Sequence, residues 1–427
     1  MDGPPAELDA LRFRRAIIVG AGLAGLSAAV ALRRVGVPVS IFEAAAQAGG
    51  RCRSYRDPQL DRVIDNGNHL VLSGNRAVAR FRESIGATEK LAGPDEAAFA
   101  FHDLRDGGNW TVRFNDGRLP WWALSRRRRV PGTKAFDYLA FLSLARARSG
   151  RIDRHVDPAG RAWDCLLEPV LLAALNTAPA EASARLAAQL LQETIGKGGL
   201  AMRPRIAEPT LAAAFIDPAL RWLESRGSPV MFGRRLQTIG FPAGECATLD
   251  WGQGPEPIES DTAVILAVPP WVATGLVPGL DAPDEHRAIV NAHFAFAPPA
   301  GTPPMLGLIG GVAQWLFAFP DRVSVTVSAA DHLVSKDREA LARRFWADIQ
   351  AAYGIKARMP RWQIVKEKRA TFAATPEQDA RRPGAATSWD NLFLAGDWTQ
   401  TGLPATIEGA LRSGETAARL VVAARAG

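Results

Sequence analysis

Eleven residues close to the N-terminus constrain this chain more than any other stretch: Ala16-Ile17-Ile18-Val19-Gly20-Ala21-Gly22-Leu23-Ala24-Gly25-Leu26. An apolar strand runs straight into Gly-x-Gly-x-x-Gly. A helical pattern follows through Leu26, Ala29, Val30 and Leu32, and a second strand, Val37 to Phe42, ends in Glu43. Each residue type has a physical reason. Gly20 permits the tight turn, Gly22 lets the backbone approach a pyrophosphate, and Gly25 lets helix and strand pack closely. Leu23 and Ala24 open the helix, whose N-terminal partial positive charge faces the phosphates. Glu43 lies 18 residues past Gly25, where an acid can accept hydrogen bonds from a ribose diol. The glycines alone are a weak signal; together with strand, helix, second strand and acid they specify an adenine dinucleotide.

The next segment favours FAD over NAD. Gly49-Gly50-Arg51 follows Glu43 within a few residues, and Asp65-Asn66-Gly67 comes soon after. Two more glycines and an arginine offer a second backbone approach and a fixed cation for phosphate. At the other end, Asn391 to Asp397 reads as a buried strand ending in Gly396-Asp397. Thr406, Ile407 and Glu408 then open a final helix with an apolar stripe at Ile407, Ala410, Leu411, Ala418 and Val421. A second helix N-terminus there can stabilise electron-rich flavin oxygens.

These blocks, GAGLAG, Glu43, GGR and DNG at one end and FLAGDWTQTGLPATIEGALRSG at the other, resemble the flavin-dependent amine oxidase and phytoene desaturase superfamily. Ile64 to Leu70, and Ala395 to Thr399 continuing through Thr401 to Ala410, resemble its squalene-associated branch, the hydroxysqualene dehydroxylases of bacterial hopanoid biosynthesis. Asn68 departs from that branch, where glutamine is expected. The resemblance implies an α/β fold: a Rossmann-type FAD-binding domain over 14–95, 206–285 and 385–427, and a discontinuous α+β substrate domain over 96–205 and 286–384. Of the last two segments, 96–205 is rich in alanine and reads as helical. Cofactor contacts would come from Gly20, Gly22, Leu23, Ala24, Gly25, Glu43, Gly49, Gly50, Arg51, Gly67, Asn68, Gly396, Asp397, Thr406 and Ile407. A strand pair is expected around Phe232-Gly233, and the resemblance places its second strand, with Leu236, under the adenine, the contact being through the backbone.

The implied activity is reductive: an allylic hydroxyl of hydroxysqualene is replaced by hydrogen, giving squalene, at the expense of an external electron donor that the sequence does not identify. His69 is the candidate proton donor, because it follows the flavin-proximal block and titrates in a useful range. Asp65 reads as an anchor of that loop. Glu408 reads as an acid serving its own helix N-terminus or flavin polar groups, and Trp398 as a neighbour of the isoalloxazine or core. The competing readings are a carotenoid or phytoene-type FAD desaturase, a flavin amine oxidase, and a non-catalytic lipid-binding flavoprotein. No Gly-x-Ser-x-Gly elbow or Gly-x-x-x-x-Gly-Lys loop is present. His286 and His293 are spaced by seven, and no carboxylate constellation makes them a convincing metal pair, so no metal is expected. A second dinucleotide fingerprint for a nicotinamide donor is also absent.

Composition bounds the rest. A chain of 427 residues, 47% hydrophobic and 22% charged, has room for two or three globular domains. Its three cysteines, Cys52, Cys165 and Cys246, are widely spaced, which suits a reducing, cytoplasmic setting and offers neither a disulfide framework nor a zinc site. None lies near Gly396–Ala410, so the flavin is expected to be held without a covalent link. Met1 to Arg15 is polar and does not read as a signal peptide. Thr262 to Leu280 lacks charge, but three prolines break it, and Ala263–Val268 reads as a buried strand rather than part of a membrane span. The net charge of +7 is modest, and no nucleic-acid module accompanies it. Basic residues concentrate in Arg126, Arg127, Arg128 and Arg129, just after Trp121 and Trp122. Indoles beside arginines suit peripheral contact with the inner face of a membrane. Nothing in the sequence speaks to oligomeric state.

Overall fold

The computed structural model describes residues 11–242 and 245–424. The reading of the polar N-terminal stretch falls mostly on residues 1–10, outside that range. Three distant parts of the chain build one parallel sheet. Its strands are β1 (Arg15–Val19), β2 (Val39–Phe42), β3 (Val230–Met231), β4 (Thr262–Leu266) and β5 (Leu392–Leu394), in the order β3-β2-β1-β4-β5. Ile18 lies opposite Ile41 on one side and Ile265 on the other. Every residue of the interior strand β4 and of the edge strand β5 is buried, as expected of parallel strands covered on both faces.

Helix α1 (Leu23–Arg34) follows the glycine turn, and α3 (Ile407–Ala423) lies against it; between them in the chain comes α2 (Arg76–Ser84). The two long helices touch at backbone distance. A Cβ on Gly414 would lie 2.2 Å from the Ala24 carbonyl oxygen, and the Ser27 hydroxyl donates to the Leu411 carbonyl at 2.9 Å. The helix expected from Thr406 is present, with the Thr406 hydroxyl capping it by accepting from the Gly409 N–H at 3.0 Å.

A second sheet of seven strands runs in the order 362–372, 286–294, 322–327, 315–319, 305–309, 98–103, 109–113. Strand alternation splits its residues between two environments. Val290, Ala292, Phe294, Val323 and Val325 join the apolar cluster with Phe345, Trp346 and Ile349 of the helix Arg338–Tyr353. Asn291, His293, Ser324 and Thr326, the alternate residues, form a buried polar face on the other side.

Two local expectations are corrected. The alanine-rich reading of 96–205 as helical misses a hairpin, Ala98–Asp103 with Asn109–Arg113, which belongs to this sheet. Its alternating Phe99, Phe101, Trp110 and Val112 carry the period-two signal that the alanine content obscured. Phe232-Gly233 is a turn, not the centre of a strand pair. β3 joins the parallel sheet, the next strand Thr238–Gly240 joins another, and Gly233 takes φ +68° to make the turn. The stretch 262–280 forms β4 and then a short helix, Pro270–Leu276, and among the described residues no helix is long and apolar enough to cross a membrane.

Candidate cofactor site

The glycine turn is built as its sequence requires. Gly20 adopts φ +107°, and a Cβ there would press to 2.5 Å from the Ala267 carbonyl oxygen. On Gly25 it would lie 1.9 Å from the Gly20 carbonyl oxygen, so the third glycine is fixed by the turn itself. Gly22 differs: nothing lies within 4 Å of a Cβ built on it. Helix α1 starts there with no side-chain cap and no acid in its first turn, although Leu23, Ala24 and Gly25 are buried. A buried, uncapped helix start beside open space is matched to an anionic ligand, and a pyrophosphate fits it.

The second glycine pair closes on the first. The Gly49 N–H donates to the Ala21 carbonyl at 2.8 Å, and the nearest atom to a Cβ on Gly50 would be the Gly22 Cα at 3.6 Å. Glu43 holds the turn from the other side: one carboxylate oxygen accepts from the Ala21 N–H and the other from the Ala45 N–H, each at 2.8 Å. The Arg234 N–H donates to the Glu43 carbonyl at 2.9 Å. Leu236 follows as a buried residue outside any strand, which corrects its expected strand placement.

Arg51 joins the two ends of the chain. Its Nη2 donates to the Asp397 carboxylate and its Nη1 to the Ala370 carbonyl, both at 2.6 Å. Asp397 is buried while the Arg51 side chain stays 41% exposed, so the guanidinium keeps an open face for an anion. The loop after β5 is braced by Arg382, a buried residue that sequence reading missed. Its Nη2 donates to the carbonyls of Asp397 and Thr399 and to the Thr401 hydroxyl, while Asp379 pairs with its Nη1. Gly396 takes φ +155°, and Trp398 is core: its indole N–H donates to the Val268 carbonyl at 2.9 Å.

The segment Asp65–His69 lies across the polar face of the seven-stranded sheet. Asp65 is an anchor, accepting from the Ser54 hydroxyl at 2.5 Å and the Leu211 N–H at 2.9 Å; burial raises its pKa against those donors. The Asn66 amide donates to Glu367 at 3.1 Å, and a Cβ on Gly67 would meet the Asn291 amide nitrogen at 3.1 Å. The Asn68 amide donates to the Thr326 hydroxyl at 3.1 Å, which in turn donates to the Asn291 side-chain Oδ1 at 2.8 Å. The Asn68 Oδ1 is buried without a partner among the described residues. His69 makes no side-chain hydrogen bond among the described residues. Burial, then the Arg51 charge, lowers its pKa to about 4, with Asp397 pulling the other way. Burial similarly pushes the Cys52 thiol up to about 12, so the cysteine beside Arg51 is a packing residue.

Glu408 corrects an expectation. Its carboxylate does not cap the N-terminus of its own helix. Its carboxylate accepts from the Ala77 and Val78 N–H groups at 3.1 and 3.0 Å, and from Arg412 at 2.9 Å. It thus caps α2, whose Asn75 provides no side-chain cap.

The model of the flavin containing amine oxidoreductase family matches residues 23–422. The chain belongs to that family. It is therefore an FAD-dependent oxidoreductase of the flavin amine oxidoreductase fold. Within the family it is 50% identical to a hydroxysqualene dehydroxylase of Zymomonas mobilis over 406 residues, covering 95% of this chain and 98% of that protein. It is also 50% identical to the hydroxysqualene dehydroxylase of Rhodopseudomonas palustris over 410 residues, with 95% and 98% covered. Among solved structures, an oxidoreductase from Methanosarcina mazei superposes with a TM-score of 0.70 at 17% identity, covering 94% of this chain and 98% of that one.

Proposed function

We propose that this flavoenzyme reduces hydroxysqualene to squalene within bacterial hopanoid synthesis. The observation that carries the reading is 50% identity to named hydroxysqualene dehydroxylases along nearly the whole of both chains. The balanced reaction replaces an allylic C–O bond by C–H: two electrons and two protons enter, and water leaves. Reduced FAD, bound without a covalent link, would supply the electron pair as hydride. Its phosphates would lie against Gly20–Gly25, Gly49, Gly50 and Arg51, its adenosine between Glu43 and Leu236, and its flavin end against Gly67, Asn68, Gly396, Asp397, Thr406 and Ile407. The Thr406 side chain is committed to its helix cap, so its contribution would be through the backbone.

His69 is the proposed donor to the departing oxygen. Burial takes its pKa to about 4, below the range expected from the sequence, so at pH 7 the neutral imidazole would donate a hydrogen bond from its N–H to the departing oxygen while solvent supplies the proton. His69→Gln should retain flavin and lose most turnover at neutral pH; near-normal turnover rejects the assignment. The site of action proposed is the cytoplasmic surface of the membrane that dissolves so apolar an isoprenoid.

The direct test is anaerobic. The purified protein is reduced chemically and given hydroxysqualene, and flavin reoxidation is followed together with extracted products. Stoichiometric squalene is expected. No squalene from verified reduced protein overturns the reading in favour of oxidative desaturation.

A further inference from the structure

Of the eleven large apolar side chains that stand exposed among the described residues, six fall within 119–142: Leu119, Trp121, Leu124, Phe136, Leu139 and Leu142, each 44–80% exposed. This is not a loosely packed segment. Its inner side is a dense aromatic layer in which the Trp122 ring lies 4.6 Å from Phe114 and 4.9 Å from Tyr138. Asn115, itself buried, donates to the carbonyls of Gly117 and Leu119 and accepts from the Trp122 N–H. The Tyr138 hydroxyl accepts from the Val130 N–H at 3.0 Å. The short helix Leu139–Ala145 buries Phe141 and Leu144 and turns Leu139 and Leu142 outward, so it is apolar on both sides. An apolar outer face on a firmly packed base needs an apolar environment that meets it from outside.

Charge identifies that environment. Residues 118–148 contain eight arginines and lysines against one acid, Asp137, a net +7 that equals the excess of the entire chain. Arg126 and Arg127 are exposed, and Arg128 lies over the Trp121 ring at 4.7 Å. Two members of the sequence-derived patch drop out. Trp122 is 2% exposed because it forms the aromatic layer, and Arg129 is buried with its guanidinium on the Ala123 carbonyl.

We propose that this platform docks on an anionic lipid bilayer, with Leu119, Trp121, Leu124, Phe136, Leu139 and Leu142 entering the acyl boundary and Arg126 and Arg127 contacting the headgroups. This deepens the functional reading by naming the surface through which the enzyme meets its substrate's solvent. A symmetric pairing of two copies through this face would oppose two +7 segments. A fluid bilayer accepts six protruding side chains without pre-shaped pockets and complements the cations.

The test uses FAD-loaded full-length protein and no substrate, so its outcome is independent of the reaction assigned. Co-sedimentation is measured with phosphatidylcholine vesicles, with and without 30% phosphatidylglycerol (about one anionic lipid in three), at low and high salt. Binding that needs the anionic lipid and weakens with salt is expected. Arg126→Gln with Arg127→Gln should lower the partition coefficient about 30-fold, from about five-fold per cation. Leu124→Glu with Phe136→Glu should abolish binding. The flavin spectrum and melting temperature of each variant check that it folds. Wild-type sedimentation indistinguishable from that of Leu124→Glu/Phe136→Glu, or no binding to anionic vesicles at low salt, overturns the proposal. A dimer in solution that those substitutions dissociate also overturns it, by assigning the face to a second copy.

Discussion

Replacing Glu408 with alanine tests how the two ends of the chain are tied. The carboxylate is 3% exposed and accepts two N–H groups from the first turn of α2. A hydrogen bond to a charged group contributes about 1.5–3 kcal/mol, so losing both costs about 3–6 kcal/mol. Arg412 adds little to that loss, because it keeps a second partner in Glu193 at 3.0 Å. Unfolding entropy of about 2.1 cal/mol/K per residue converts each kcal/mol into about 1 °C for a chain of 427 residues. The melting temperature should therefore fall by about 3–6 °C. Glu408→Gln retains one acceptor oxygen and should lose about half as much. Hydrogen exchange localises the effect: Ala77 and Val78 amides should exchange faster, while α1 amides keep their protection. A melting shift under about 1 °C, or unchanged exchange at the start of α2, would refute the cross-capping argument.

Three further outcomes separate ligand contacts from packing. Gly22→Ala meets no protein atom within 4 Å, so the apoprotein should melt as wild type while flavin retention falls; retained flavin would remove the pyrophosphate from that position. Gly414→Ala drives a Cβ to 2.2 Å from the Ala24 carbonyl oxygen, and should lower both stability and flavin content by separating α3 from α1; a wild-type melting curve would contradict this. His69 is held near pKa 4 in the folded chain against an ordinary 6.5, so the unfolded chain binds more protons between those values. Its stabilising contribution is complete above pH 6.5 and is lost as pH falls towards 4. Urea midpoints measured from pH 4.5 to 8 should therefore fall less steeply with acid in His69→Gln than in wild type, and parallel curves would exclude the shifted histidine.

How much of this was legible follows from the range of each signal. β1, the glycine turn, α1 and Glu43 occupy one short stretch, and each declares itself through local backbone demands. The final helix and the Gly396-Asp397 turn were legible for the same reason. Glu408 was read as serving its own helix, because nothing near it in sequence reveals that Ala77 and Val78 lie against it. Arg382, Asn291 and Thr326 went unnoticed because their function is to hold loops from far along the chain. Trp121 and Trp122 are chemically identical neighbours, and only packing against Phe114 and Tyr138 sends one inward. Residues 98–113 were misread because alanine content was weighed over the alternation of Phe99, Phe101, Trp110 and Val112.

The junction of Arg51 with Asp397 has a consequence for synthesis. While the chain is being made, the N-terminal βαβ unit emerges early, but β4 remains an open sheet edge until β5 is available. The start of α2 also waits for Glu408, and Arg51 for its carboxylate partner. Translation at about 5–20 residues per second therefore leaves the nascent protein for many seconds with a nucleotide cradle that lacks its far wall. With the cofactor in the proposed position, its capture would wait until the last part of the chain has left the ribosome, and a polypeptide stopped short of β5 would lack the Asp397 side of that site.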